Sequence, residues 1–112
     1  MKYFTDKEFA CKCGCGFKDI DHELGQVLDA IREFFDAPVY VNSGCRCEAH
    51  NLRSGGAIHS QHILGKAADI HMTDIAPALI AEVAIKLGAN GVKVYDTFTH
   101  VDVRDGCSWH VV

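Results

Sequence analysis

The hydrophobic positions of this 112-residue chain change their period several times, and each change marks an element. Leu24, Val27, Leu28, Ile31, Phe34 and Phe35 recur at the spacing of one helical face. Asp19 or Asp21 is placed to cap that helix, and Pro38 stops it. Pro38 to Asn42 reads as a strand, and Ala67 to Met72 as a second. Asp74 is placed to cap another helix, with Pro77 tolerated in its first turn. Ile75, Leu79, Val83 and Leu87 would form its apolar face, and Gly88 or Asn90-Gly91 would end it. Val92 to Tyr95 and Phe98 to Val103 read as a hairpin pair, with Trp109 to Val112 as a last edge strand.

Upstream of these elements, Thr5-Asp6-Lys7-Glu8 has the form of a capping box that opens a short helix. Cys11 to Gly16 is a Gly/Cys turn. Residues 43–66 follow neither period and are rich in Gly, Ser and His, so a long, mostly irregular segment is expected there. Such segments inside compact domains are commonly functional. The whole pattern predicts one α+β domain over residues 1–112: a small, mainly antiparallel sheet with two main helices packed against it.

Composition narrows the classes. Hydrophobic residues make up 48% of the chain and charged residues 23%, an ordinary globular balance. No apolar run reaches the roughly 20 residues needed to span a membrane. Residues 1–8 lack the apolar stretch of a signal peptide. Synthesis in a cytoplasm is therefore the expectation, with any release needing another route such as host lysis. The formal charge of −4 and the lack of a basic block argue against nucleic acid as a partner. Six cysteines is a high count for this length, and their spacing is odd: Cys11, Cys13 and Cys15 alternate, followed by Cys45, Cys47 and Cys107. Reduced thiols near a Gly-rich turn are the plainest reading. A structural zinc held by some of them, or disulfides, are the alternatives.

The histidines carry the sharpest signal. His50, His59, His62 and His71 fall within 22 positions. A catalytic zinc takes three protein ligands of imidazole and carboxylate type and keeps one position open. His62 on a loop and Asp69 on the following strand can meet at one ion if the chain turns back between them, and Gly65 supplies a turn. The third ligand must come from elsewhere. His100 sits on a strand that could lie beside the Ala67–Met72 strand.

Ser60-Gln61-His62-Ile63-Leu64-Gly65-Lys66-Ala67-Ala68-Asp69 resembles the S-x-H-x-x-G-x-A-x-D signature of the D-alanyl-D-alanine carboxypeptidase family of zinc peptidases. D-Ala-D-Ala dipeptidases and phage endolysins belong to that family, and the hedgehog signalling domain shares its fold. Ser43-Gly44-Cys45-Arg46 looks like the family's S-G-Y-R segment, and His50-Asn51 with Gly55-Gly56 looks like its h-N…G-G stretch. His100-Val101-Asp102 is similar to its terminal H-x-D element. The order holds from about residue 3 to residue 104.

The resemblance implies that His62, Asp69 and His100 hold zinc. It implies that Arg46 holds a substrate carboxylate or a developing oxyanion, with a structural salt bridge as the alternative role. Ser60 would hydrogen-bond the substrate or cap the loop. The implied substrate is a peptidoglycan stem peptide or similar small peptide, cut by a D,D-carboxypeptidase or an endopeptidase of a phage or prophage lysis system. A monomer is expected. A non-catalytic zinc-containing binding or phage structural domain of the same fold is the alternative. A redox or metal-storage protein built on the cysteines is a third reading.

Two departures from the family pattern stand out. Cys45 occupies a place usually aromatic. Thr97 occupies the place, three before the last ligand, where many members carry an acid. Asp102, two residues from His100, is the candidate catalytic carboxylate, either as general base or as the partner that orients a ligand histidine. Asp96, four residues away, is the competitor. His59 adjoins the motif, and His71 shares the parity of Asp69.

Overall fold

The computed structural model describes residues 1–56 and 60–112. The expectation placed on His59 lies outside the described residues. The elements follow in the order α1 (His22–Phe35), β1 (Tyr40–Ser43), α2 (Glu48–Arg53), β2 (Ala67–His71), α3 (Pro77–Lys86), β3 (Gly91–Val94), β4 (Thr99–Asp102) and β5 (Trp109–Val111). Short 3-10 turns cover Asp6–Phe9 and Gln61–Leu64. The five strands form one sheet in the order β1-β2-β4-β3-β5. All pairings are antiparallel except β3 with β5. The expected α+β class and mainly antiparallel sheet are therefore present.

Local sequence accounts for most boundaries. The Thr5/Glu8 capping box opens the first turn. Of the two candidate caps of α1, Asp21 does the work: its side chain accepts from the Glu23 amide. Leu24, Val27, Leu28 and Ile31 are buried as their spacing requires. Phe34 departs from that stripe, being 61% exposed with its ring edge against Phe35.

Two expectations need correction. The 43–66 segment is more ordered than its composition implies, because α2 and the Gln61–Leu64 turn lie within it. The second main helix starts later than Asp74. That residue takes φ 60° in a turn closed by a Met72–Ile75 bridge, and Ala76 is the N-cap with Pro77 first in the helix. The buried stripe is consequently Ile80, Ala81, Val83 and Ala84, and Leu79 is exposed. Of the expected face, Val83 is buried and Ile75 and Leu87 pack against the core, so Leu79 is the residue that leaves it.

The sheet separates core from site by its two-residue alternation. Along one face the register sets Ala68 beside Val101 and Val101 beside Val92, all in the core cluster with Ile70. Helix α3 lies against β3 and β4 there, and α1 packs on α3. The opposite parity carries two rows, Asp69–His100–Lys93 and Ala67–Asp102–Gly91. The β1–β2 register shifts between Val41 and Ser43, which sets Ser43 opposite Asp69. Such irregularities re-aim side chains and are common beside active sites.

Candidate functional site

Asp69 and His100 face each other because β2 and β4 pair in register. His62 reaches them from the 3-10 turn that Ser60 caps and Gly65 ends at φ 70°. The side chain of His62 is buried, with Nε2 3.2 Å from Asp69 Oδ1. His100 Nδ1 lies 3.0 Å from the same oxygen, and the two imidazoles meet edge to face at 5.2 Å. Ligand atoms held about 2.0–2.2 Å from one zinc in a tetrahedron stand roughly 3.3 Å apart, so this spacing suits the ion.

The other ring nitrogen of each histidine is already committed. His62 Nδ1 is 2.7 Å from the Gly44 carbonyl oxygen, so it carries the proton and donates. His100 Nε2 is 2.8 Å from Asp102 Oδ2 and donates to that carboxylate. Each imidazole therefore points its other nitrogen at Asp69, the atom a bound metal would take in place of a proton. Two imidazoles and a carboxylate, oriented by their own partners, are a donor set that fits a zinc ion with an open position.

Asp102 is fully buried and stands on the far side of His100 from Asp69. Arg104 grips it with Nε 2.9 Å from Oδ1 and Nη2 2.6 Å from Oδ2. Gly91 makes this possible, because a β-carbon there would overlap the Asp102 carboxylate. Arg104 also lies over the Trp109 ring at 4.5 Å, and Trp109 meets His100 edge-on at 6.0 Å. The short edge strand β5 thus backs His100.

Arg46 lies close to the cluster. Its Nη2 is 3.0 Å from Asp69 Oδ2, its Nε donates to Ser43 Oγ at 3.0 Å, and its Nη1 to Asn51 Oδ1 at 3.4 Å. Three of the five guanidinium N–H groups are used in this way, leaving two for the cleft. Asn51 is itself packed under Gly56, where a β-carbon would overlap the Asn51 amide, and Gly55 takes φ 74° to bring the chain round. These contacts explain the N…G-G spacing physically. Ser60 lines the cleft, and its hydroxyl accepts from the His62 amide at 3.2 Å.

Charge is concentrated here. Burial works to raise the Asp69 pKa, but His100 and His62 outweigh it and hold the carboxyl well below the usual range. Burial likewise opposes ionisation of Asp102, and His100 and Arg104 outweigh it in the same direction. Burial lowers His100, and the two carboxylates that flank it raise it overall. Among the described residues, no buried polar side-chain atom lacks a partner.

The cluster opens into a cleft of about 500 Å³, also lined by Arg46, Gln61, Lys93, Tyr95 and Trp109. Sequence reasoning missed Lys93, Tyr95 and Arg104. Lys93 pairs with His100 across β3 and β4, a register that no local pattern reveals. Arg104 was within reach, since it keeps the parity of His100 and Asp102. Asp96 is exposed and is not among the described residues lining the cleft. His71 has the parity of Asp69, but it stacks on Tyr40 and hydrogen-bonds Asn42 instead.

Known proteins share parts of this sequence and this fold. Across 88 residues, 73% of this chain, the sequence is 33% identical to the zinc D-Ala-D-Ala carboxypeptidase of Streptomyces albus G. The chain spans 34% of the length of that relative. The fold is similar to the Serratia marcescens L-Ala D-Glu endopeptidase ChiX, with a TM-score of 0.56 at 18% identity, covering 76% of this chain and 80% of that one. The model of the peptidase M15 family matches residues 2–102. With nearly the whole chain matched and its histidine and aspartate side chains converging, this protein belongs to the peptidase M15 family.

Proposed function

We propose that the chain is a zinc-dependent peptidase that hydrolyses a peptide bond in bacterial peptidoglycan, as a D,D-carboxypeptidase or endopeptidase. The observation that carries this reading is the convergence of His62, Asp69 and His100 at the floor of an open cleft. When bound, zinc polarises a carbonyl oxygen and makes water acidic enough to attack at neutral pH. His62 and His100 hold their coordinating nitrogens in place through Gly44 and Asp102. Arg46 fixes the second oxygen of Asp69 and turns its remaining N–H groups to the cleft, where they suit a substrate carboxylate or oxyanion. Of the two roles weighed for Asp102, its buried place behind His100 supports the orienting one and not that of a base for water in the cleft. Ser60 serves as the cap of the loop that carries His62.

The cleft accommodates a short peptide, and its Arg46, Lys93 and Arg104 suit the acidic groups of a stem peptide. A phage or prophage lysis role places the enzyme at the wall once the host membrane is breached. The competing reading is a zinc-containing domain without catalysis. It is favoured by Thr97 and by Asp69 being the one carboxylate among the described residues that line the cleft. Digestion of purified peptidoglycan, with and without chelator, decides between them. Release of soluble fragments or free D-alanine that stops on chelation supports the enzyme, and intact sacculi with bound zinc support the binding domain.

A further inference from the structure

The second concentration of metal-binding chemistry lies at the other end of the Arg46 segment. Cys11, Cys13, Cys15 and Cys47 place their sulfur atoms within 4.8 Å of one another, and no pair of them is bonded. Cys11 Sγ is 3.4 Å from Cys13 Sγ and 3.9 Å from Cys47 Sγ, and Cys13 Sγ is 3.5 Å from Cys47 Sγ. Four sulfurs bound about 2.3 Å from a central zinc stand roughly 3.8 Å apart. Cys11, Cys13 and Cys47 are therefore already near the spacing of a tetrathiolate site, with Cys15 within 4.8 Å of them.

The backbone is shaped to bring these residues together. Gly14 and Gly16 take φ 82° and 92°, and the loop closes through the Cys11 amide donating to the Phe17 carbonyl. Backbone amides already point at sulfur: Cys47 N–H donates to Cys11 Sγ and His50 N–H to Cys47 Sγ, each at 3.4 Å. Such donors stabilise thiolates and orient them for a metal. Cys45 is buried apart from the cluster, and Cys107 is exposed outside it.

We propose that Cys11, Cys13, Cys15 and Cys47 bind a second, structural zinc ion. Four thiols give up their protons to solvent as the ion binds, and four sulfurs complete its coordination, leaving no open position for chemistry. The ion would tie the N-terminal turn to a point 36 positions further on. That point adjoins the residues that arrange the first site: Gly44 accepts from His62, Cys45 N–H donates to the Phe9 carbonyl, and Arg46 holds Asp69.

Protein purified under reducing conditions should carry two zinc ions per chain. Cobalt reconstitution separates the sites without reference to activity. A thiolate-to-cobalt charge-transfer band is expected in the wild type and in His62→Ala, and its loss is expected in Cys13→Ser/Cys15→Ser. Thiol titration guards against a variant that fails to fold: four of the six cysteines of the wild type should become reactive only after chelation. Two zinc ions retained by the double variant, iron in place of zinc, or a mass deficit from disulfides in protein prepared with reductant would each overturn the proposal. Loss of the first site in His62→Ala with the cobalt band intact would leave it standing.

Discussion

The two faces of the central sheet are built from alternate residues of the same strands, and they serve opposite ends. On one face Ala68, Ile70, Val92 and Val101 pack against helices and contain nothing that can titrate. On the other, the rows Asp69–His100–Lys93 and Ala67–Asp102–Gly91 carry charge that is costly to bury without partners. The small residues Ala67 and Gly91 flank Asp102 in its row, which leaves room for a carboxylate and the arginine that grips it. Because the alternation has a period of two, a strand can stabilise the fold with one set of alternate positions and present polar groups to a site with the other. Substitutions on the two faces should therefore fail in different ways.

The largest separation is expected from His62→Ala. Losing one of three ligands should remove zinc from this site altogether and bring hydrolysis below detection, while the apolar face keeps the domain folded. Elemental analysis together with circular dichroism reads both. On the core face, Ile70→Ala should cost about 2–5 kcal/mol of stability, seen as a lowered thermal midpoint. Its zinc stoichiometry should stay unchanged wherever the protein remains folded. If Ile70→Ala empties the site at temperatures where it is folded, the two faces are not independent.

Asp102→Asn sharpens the comparison from the site face. The substitution preserves shape but removes the charge that His100 and Arg104 share, so zinc affinity should fall by about 10–100-fold. Asp96→Asn should change little, since that side chain is exposed and away from the cluster. If Asp102→Asn keeps full zinc affinity while its turnover collapses, the carboxylate acts in proton transfer instead of orientation.

Acidity tests the same wiring. In the metal-free protein the His100 pKa is raised overall, so a proton competes with zinc to a higher pH than at an ordinary histidine. Affinity should climb with pH through that raised value and level off above it, by up to about tenfold per unit for one released proton. Titrations with a zinc indicator across mildly acidic to mildly basic pH would show it, and a flat profile would contradict the His100 assignment. The smallest effect is expected from Arg46→Lys. One ammonium cannot meet Asp69, Ser43 and Asn51 together, so turnover should fall a few-fold while zinc remains. Unchanged kinetics would make Arg46 a purely structural residue.

What the sequence determined by itself was whatever depends on neighbours along the chain. The helical stripe of Leu24 to Ile31, the Thr5/Glu8 box, an aspartate cap at position 19 or 21 and the turn at Gly65 are short-range matters of period, capping and backbone freedom. The three residues proposed to hold the metal were also legible as candidates, because His62 and Asp69 belong to one motif and His100 to another in the right order. Apart from Asp102 behind His100, tertiary structure alone decided which groups stand behind those residues. The Gly44 carbonyl on His62, Arg46 on Asp69, Lys93 beside His100 and Trp109 over Arg104 depend on strand register and on a parallel edge strand. The sulfur cluster has the same origin, since Cys47 meets Cys11 across 36 positions and only the folded chain brings them together. A local pattern records the direction in which a side chain leaves its own backbone; the residue it meets is chosen by packing between distant segments.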